Sequence, residues 1–86
     1  MKELEKTLRA LGNKRRLAIV QFLKKHREST VTELAGAISL SFRSTSRHLS
    51  ILYGAGVLDK RQQSNEVYYF LVAKKDPTLE HVLSLL

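Results

Sequence analysis

The first half of the chain carries apolar residues at steps of three and four, which is the period of amphipathic helices. The first stripe consists of Leu4, Leu8 and Leu11. Gly12 and Asn13 interrupt it, and the Asn13 side chain can cap a second helix over roughly 14–25. This second helix has a broader apolar face, so we expect it to lie deep in the core. That face contains Leu17, Ile19, Val20, Phe22 and Leu23.

Residues 30–54 have the pattern of two short helices joined by a tight turn. Thr30 and Glu33 fit a capping box at the start of the first helix. A polar break at 39–41 follows, and Ser41 can cap the second helix. The inward stripe of that second helix contains Thr45, Leu49 and Leu52. Its outward side carries Arg43, Ser44, Arg47 and Ser50.

The period becomes extended after Gly54 and Gly56, which we expect to end this helix. Runs rich in β-branched and aromatic residues at 57–61 and 67–72 flank a polar tip at 62–66, and together they predict a β-hairpin. Within the tip, Asn65 is the residue expected to adopt a positive φ. The polar residues 26–29 predict a loop.

A last helix is predicted from Asp76-Pro77 onward, with Pro in its first turn. Its apolar residues are Leu79, Val82, Leu83 and Leu86. The complete pattern predicts a mainly α fold with one β-hairpin, in the order of four helices, hairpin and fifth helix. A basic hairpin directly after a helix-turn-helix is the winged helix-turn-helix arrangement. We expect one domain over 1–86, with the helix-turn-helix at 30–54, the wing at 57–72 and terminal helices at 1–11 and 77–86.

The charge balance favours a polyanionic partner. The 86 residues carry a formal net charge of +7, from 15 Lys and Arg against 8 Asp and Glu. From residue 39 to residue 75 the basic residues are Arg43, Arg47, Lys60, Arg61, Lys74 and Lys75, and the acidic ones are Asp59 and Glu66. A generic solubilising surface is the alternative interpretation of this charge.

Composition also narrows the class of protein. Hydrophobic content of 43% with 27% charged residues is typical of a globular domain. The absence of cysteine excludes disulfides and thiolate metal sites. No apolar run approaches the ~20 residues of a membrane span, and the charged start of the chain does not resemble a signal peptide. We therefore expect a cytoplasmic protein with no membrane partner.

The second helix of the 30–54 segment has the properties needed to lie in a DNA major groove. Its back is apolar, and its front presents arginines for phosphates or guanine edges together with small polar residues that allow close approach. An ordinary helical hairpin with a solvated polar face is the simpler alternative. The wing would supply a second contact to double-stranded DNA, because its tip can reach an adjacent minor groove or the backbone.

Other functions receive less support from the sequence. Ser46 and His48 are two positions apart, so they point to different sides of a helix and do not form a nucleophile–base pair. No Gly-rich phosphate loop is present. We therefore do not expect an enzyme. A winged-helix protein-interaction adaptor or a non-specific nucleic-acid binder remains the alternative function.

Several short motifs, in this order and spacing, resemble the ArsR-like winged-helix transcriptional repressors over nearly the whole chain. The motifs are Leu11-Gly12-Asn13-Lys14-Arg15-Arg16-Leu17, Thr32-Glu33-Leu34-Ala35, Leu40-Ser41, Ser46-Arg47-His48-Leu49 with Leu52, Ala55-Gly56-Val57-Leu58 and Val67-Tyr68-Tyr69-Phe70-Leu71. The resemblance implies operator DNA as the partner and repression by occlusion of a promoter. It also implies a homodimer built from the first and last helices. The expected interface residues are Leu4, Leu8, Leu79, Val82, Leu83 and Leu86, and a charge at Leu79 or Leu83 would then separate the subunits.

The resemblance also assigns candidate DNA contacts. The turn and start of the second helix, Ser41, Phe42, Arg43 and Ser44, would approach base edges. Ser46, Arg47 and His48 would contact phosphates or bases. Arg61 and the tip residues Gln63, Ser64 and Asn65 would form the wing contact.

Two positions depart from the family pattern. The family often has Gln where this chain has Phe42, which could contact a thymine methyl or fold back onto the core. It commonly has an aliphatic residue at the position of Thr45, whose hydroxyl needs a partner such as a backbone carbonyl one turn earlier.

The metal-sensing motifs of many family members are missing. No cysteine is present near Val31 to Leu34, where one such motif would fall. Asp76, Glu80 and His81 lie in the last helix without the D-x-H and H-x-x-E spacings of the other motif. His26 is expected to be a loop surface residue. We therefore expect no metal site and no cofactor.

Overall fold

The computed structural model describes residues 1–86 as five α-helices and three β-strands. The helices are α1 (Lys2–Leu11), α2 (Lys14–His26), α3 (Val31–Ile38), α4 (Phe42–Gly54) and α5 (Pro77–Leu85). The strands are β1 (Glu28–Thr30), β2 (Leu58–Gln63) and β3 (Glu66–Leu71). The predicted order of four helices, a hairpin and a fifth helix is confirmed. No helix has the length and apolar character that crossing a membrane requires.

Side-chain caps fix the starts of four helices. Asn13 accepts from the backbone N–H groups of Arg15 and Arg16, which starts α2. Thr30 and Glu33 form the predicted capping box of α3. Ser41 accepts from the N–H of Ser44, and Asp76 accepts from that of Leu79 with Pro77 next to it. Each cap satisfies an N–H that lacks a helical partner, so these boundaries follow from local sequence.

Gly56 closes α4 by a Schellman motif. The N–H of Val57 donates to the carbonyl of Leu52 at 3.0 Å, and that of Gly56 donates to Tyr53 at 3.1 Å. This geometry requires a left-handed residue after the cap, and Gly56 has a φ of 78°. Gly54 still belongs to the helix, so Gly56 alone fulfils the predicted glycine role.

The sheet has a strand that the sequence did not predict. β1 occupies part of the segment predicted as a loop, and it pairs antiparallel with β3 through Ser29↔Tyr69 and its neighbours. The sheet order is β1-β3-β2. With only three residues, β1 is too short to show a period, and its pairing with a distant strand decides its conformation.

The hairpin turn corrects a second detail. Gln63 pairs with Glu66, so the loop contains only Ser64 and Asn65. Ser64 has the positive φ, 58°, and Asn65 does not. A positive φ at the first central position is the type II′ pattern, whose twist matches the strands. The prediction of Asn65 as the positive-φ residue was therefore wrong.

The core is built mainly from the middle helices and the start of the hairpin. It includes Ile19, Val20, Leu23, Leu34, Leu49, Leu52, Val57 and Leu58, each at most 1% exposed. The inward face of α1 consists of Thr7, Ala10 and Leu11. Leu4 and Leu8 of the predicted stripe point away from this core and are 40% and 51% exposed.

The terminal helix corrects part of the predicted interface. Leu79 and Leu83 are 2% and 8% exposed because α5 packs them into the core of its own protomer. They leave almost no surface for a partner subunit, which argues against the prediction that they are interface residues. Val82 and Leu86 are partly buried against the same core. Leu85, which the sequence did not single out, is 72% exposed.

Candidate nucleic-acid interface

The turn between α3 and α4 sets the direction of the exposed helix. Ser39 ends α3 in the left-handed region with a φ of 55°. The N–H of Leu40 then donates to the carbonyl of Ala35 at 3.0 Å, which closes the end of α3. Two residues later Ser41 caps α4. Three residues, 39–41, therefore connect the two helices, as predicted for a helix-turn-helix.

Helix α4 has one fully buried side and one basic side. Thr45, Leu49 and Leu52 are completely buried. Arg43, Arg47 and Ser50 are exposed, whereas Ser44, Ser46 and His48 are half-buried at the flanks. The predicted division of the helix into support and front is confirmed for these positions. The two arginines are the charged groups that this helix presents outward.

Thr45 does not find the partner that was expected for it. Its Oγ1 is buried and makes no hydrogen bond, so the predicted bond to a carbonyl one turn earlier is absent. Leaving a buried hydroxyl unsatisfied costs about 1–3 kcal/mol. The methyl group of Thr45 fills the same core position that an aliphatic residue would fill.

The amino terminus of α2 extends the basic side of α4. Arg15, Arg16 and Arg47 are all close enough to His48 for their charges to lower its pKa, so positive charge from both helices gathers around this ring. Lys14 and Arg15 are exposed. The first turns of α2 and α4 contain no acidic residue, so no carboxylate offsets the positive end of either helix dipole. Such helix ends attract phosphate groups.

His48 lies at the contact between α4 and the junction of α1 with α2. Its Nδ1 lies 3.3 Å from Nη1 of Arg16. Because a guanidinium only donates, Nδ1 accepts, and the neutral ring carries its proton on Nε2. Burial, followed by the charge of Arg16, lowers the pKa of His48 below its usual value. His48 is therefore a neutral packing group in this structure, and its Nε2 is the atom left to donate to a further partner.

Arg16 itself has a structural role that the sequence did not reveal. Its Nε donates to the carbonyl of Ala10 at 2.6 Å, and its Nη2 donates to that of Arg9 at 3.3 Å. It thus satisfies carbonyls at the end of α1 while it contacts α4 through His48. The sequence placed Arg16 in a basic cluster at 14–16 and in a motif shared with the ArsR-like family, but neither indicated these contacts.

The wing residues are exposed, and one of them, Arg61, is held by two hydrogen bonds to a carboxylate. Gln63, Ser64 and Asn65 form the exposed tip. Arg61 donates from Nη1 to Glu28 Oε1 at 2.6 Å and from Nη2 to Oε2 at 3.1 Å. Glu28 was missed because the segment around it was predicted as a loop. No local signal links two residues that are 33 positions apart.

Phe42 and the wing tip lie on the same side of the molecule. Phe42 is 59% exposed, so it does not fold back onto the core. It lines a small cavity of about 160 Å³ together with Asn65 of the wing tip. Thr30, Val31, Thr32, Glu66 and Val67 form the remaining walls. The start of α4 and the wing therefore border a single cleft.

The charged side chains form few ion pairs with one another. The two salt bridges are Arg9–Glu5 on α1 and Arg61–Glu28 in the sheet. Arg43 and Arg47 take part in neither of them, so their guanidinium groups are not neutralised within the protomer. No group of three or more His, Cys, Asp or Glu side chains is placed to hold a metal ion.

Known proteins share this architecture and sequence pattern. The family described as bacterial regulatory protein, arsR family, matches residues 13–60. The cadmium resistance transcriptional regulatory protein CadC of Listeria innocua is 38% identical over 61 residues, which cover 71% of this chain and 51% of CadC. The chain thus spans about half the length of the CadC relatives that it matches.

A second relative matches over a longer range. The transcriptional repressor PagR of Bacillus anthracis is 32% identical over 79 residues, which cover 92% of this chain and 76% of PagR. Its crystal structure superposes with a TM-score of 0.82, covering 98% of this chain and 92% of that one at 28% identity.

The fold is shared with a more distant structure as well. A homodimeric winged helix-turn-helix DNA-binding domain from Mycobacterium bovis, a possible ArsR-family regulator, has a TM-score of 0.83 at 24% identity. The match covers 98% of this chain and 74% of that domain. The architecture described above is that of a winged helix-turn-helix, and the match over residues 13–60 together with the similarity to PagR shows that the chain belongs to the arsR family of bacterial regulatory proteins.

Proposed function

We propose that this protein is a homodimeric repressor of transcription that binds double-stranded DNA at a specific, inverted-repeat operator. The observation that carries the proposal is the front of α4, where Arg43 and Arg47 are exposed and free of ion pairs. The opposite side of the same helix is fixed by completely buried residues. A rigid helix with unneutralised arginines is suited to entering a major groove.

The proposed contacts divide by position along this surface. Ser41, Phe42, Arg43 and Ser44 approach base edges, and Arg47 with Ser46 contacts phosphate or base. The half-buried His48 contributes through Nε2. Gln63, Ser64 and Asn65 of the wing reach the adjacent groove or backbone, with Arg61 behind them. The common cleft of Phe42 and Asn65 supports simultaneous contact by helix and wing.

Phe42 is the proposed reader of a thymine. Its exposure leaves the ring available, and apolar contact with the C5-methyl group is a recognised mode of reading thymine in the major groove. The alternative, in which the ring packs onto the core, is incompatible with its exposure of 59%.

The dimer is proposed to form through α1 and the outer side of α5. Met1, Leu4 and Leu8 line an open groove on α1, and Leu85 is exposed on α5. The exposed apolar surface supports this interface, and the homodimeric state of the similar M. bovis domain supports a dimer as such. In the dimer the two copies of α4 would lie about 34–36 Å apart and enter successive major grooves.

The first experiment selects bound duplexes from a random DNA pool and then measures the affinity of the enriched sequence. Enrichment of an inverted repeat is expected, since a two-fold symmetric dimer reads two equal half-sites. Uniform recovery of all sequences would contradict the proposal and favour a non-specific nucleic-acid binder. Failure to bind any duplex would favour the protein-interaction adaptor.

Substitutions then test the docking on that duplex. Arg47→Ala should weaken binding and lower the slope of the log–log salt dependence by about one unit, because one phosphate contact is lost. Lys25→Ala is the matched control, since it removes an exposed positive charge from the far end of α2. If Arg43→Ala and Arg47→Ala both leave the affinity at the wild-type value, α4 does not dock as proposed.

A further inference from the structure

The Arg61 guanidinium is engaged by three neighbours on the wing. Both of its terminal nitrogens donate to the Glu28 carboxylate, at 2.6 and 3.1 Å. Nη2 also donates to Oε1 of Gln63 at 3.1 Å. The guanidinium carbon lies 5.0 Å from the centre of the Tyr68 ring. This bidentate arrangement uses the same N–H groups with which an arginine would bind a phosphate.

The sheet holds the two partners in position. Glu28 is opposite Phe70 on one side of β3, and Arg61 is opposite Tyr68 on the other side. The ion pair therefore crosses the central strand, and the backbone ladder fixes both of its ends. The Tyr68 ring lies beneath the guanidinium and limits its other orientations.

We propose that Glu28 is an autoinhibitory partner of Arg61, which must be released before this arginine can bind a DNA phosphate. The inference rests on the proposed DNA-binding function. Glu28 and a phosphate compete for the same N–H groups, so the wing contact forms by exchange of one anion for another. The wing contact therefore adds less to DNA affinity, because the Arg61–Glu28 pair must be broken before it forms.

Two observations support the exchange. The side chains of Arg61 and Glu28 are 43% and 42% exposed, so a phosphate can reach the guanidinium without local unfolding. The hydrogen bonds from Arg61 lower the pKa of Glu28, so its carboxylate stays ionised at neutral pH and competes as an anion. An exposed pair of this kind is held weakly enough for a phosphate to replace the carboxylate.

Glu66 provides a matched control. It lies at the start of β3 in the same wing, opposite Gln63, and it is exposed. It takes part in neither salt bridge. Glu28→Gln and Glu66→Gln each remove one negative charge from the sheet, but only the first removes the charge that is paired with Arg61 and one of its two acceptor oxygens. The difference between the DNA affinities of the two variants distinguishes the release of Arg61 from general repulsion between acidic residues and DNA.

The experiment measures affinity of the full chain for the enriched duplex over a series of salt concentrations. Glu28→Gln should tighten binding by about two- to fivefold. Glu66→Gln should change it by less than about twofold, because an unpaired exposed charge is screened. In an Arg61→Ala background, Glu28→Gln should have no effect, since there is then no arginine to release.

The outcomes distinguish this inference from the function on which it rests. If wild type binds the duplex and Arg47→Ala weakens binding, the proposed function stands. The affinity of Glu28→Gln then tests only whether a phosphate replaces Glu28 on Arg61. Equal gains from Glu28→Gln and Glu66→Gln, or a gain that persists without Arg61, would overturn it. So would weaker binding by Glu28→Gln, which would show that Glu28 orients Arg61 for DNA. Thermal denaturation of each variant confirms that the sheet is intact.

Discussion

Helices α1 and α5 each carry two leucines four positions apart, but one pair is exposed and the other is buried. Leu4 and Leu8 of α1 are 40% and 51% exposed, whereas Leu79 and Leu83 of α5 are 2% and 8% exposed. An apolar stripe on a helix therefore predicts that another surface will pack against that face. It does not indicate whether the covering surface belongs to the same protomer or to another one.

The attachments of the two helices explain the difference. Helix α1 meets the core through Thr7, Ala10 and Leu11, so its leucine pair is left on the far side. Helix α5 is held in place at both ends. Asp76 caps its start and accepts from the Thr7 hydroxyl at 3.4 Å, and the Lys24 ammonium donates to the carbonyl of Leu83 at 2.7 Å.

The largest effect is expected from a charge in the buried pair. Leu79→Asp should destabilise the fold by about 4 kcal/mol or more, because it buries a carboxylate and removes core packing. Circular dichroism during urea denaturation measures the loss. Leu85→Asp on the exposed side of the same helix is the control and should remain folded. If Leu79→Asp is as stable as wild type and merely dissociates, the assignment of Leu79 to the core of its own protomer is incorrect.

A charge in the exposed pair should act on association instead. Leu8→Asp should leave the protomer folded and shift the proposed dimer to monomer in sedimentation. Affinity for the operator duplex should then fall by about a hundredfold or more, since the second half-site no longer binds intramolecularly. Gln21→Asp is the control, because it adds a charge to an exposed, polar position of α2, which takes no part in the proposed interface. A dimer that persists in Leu8→Asp and Leu4→Asp would place the interface elsewhere.

A smaller effect should come from the side-chain cap that α5 possesses and α1 lacks. Met1, which precedes α1, makes no side-chain cap, whereas Asp76 accepts from the N–H of Leu79 at 2.8 Å. Asp76→Ala should lower the free energy of unfolding by about 1 kcal/mol. Asp76→Asn should cost less, because Asn is also a good cap. Urea denaturation at a fixed protein concentration compares the two, and equal stability of all three proteins would mean that the cap does not hold α5.

Features that depend on neighbours in the chain were predictable. The caps at Asn13, Thr30, Ser41 and Asp76 each act within three residues, so the helix starts follow from sequence. The helical period of α4 correctly divided the buried side from the basic side. The basic side of α4 could therefore be predicted from the sequence of this one helix.

Features that depend on distant pairing were not predictable in this way. Strand β1 exists because it pairs with β3, about 40 positions along the chain. The same pairing brings Glu28 within reach of Arg61. Similarly, the contact of Arg16 with His48 joins residues 32 positions apart. The last two contacts involve Arg61 and His48, which the sequence had assigned to DNA.

The helices, the wing, the basic front of α4 and the absence of cysteine chemistry follow from the period, the caps and the composition of the chain. Tertiary structure decided which leucines are core and which are available to a partner, since burial depends on what packs against a face. It also decided that Arg61 is paired and that Phe42 is exposed. Local sequence determines the helices and strands, and the packing of these elements determines which side chains remain free to bind a partner.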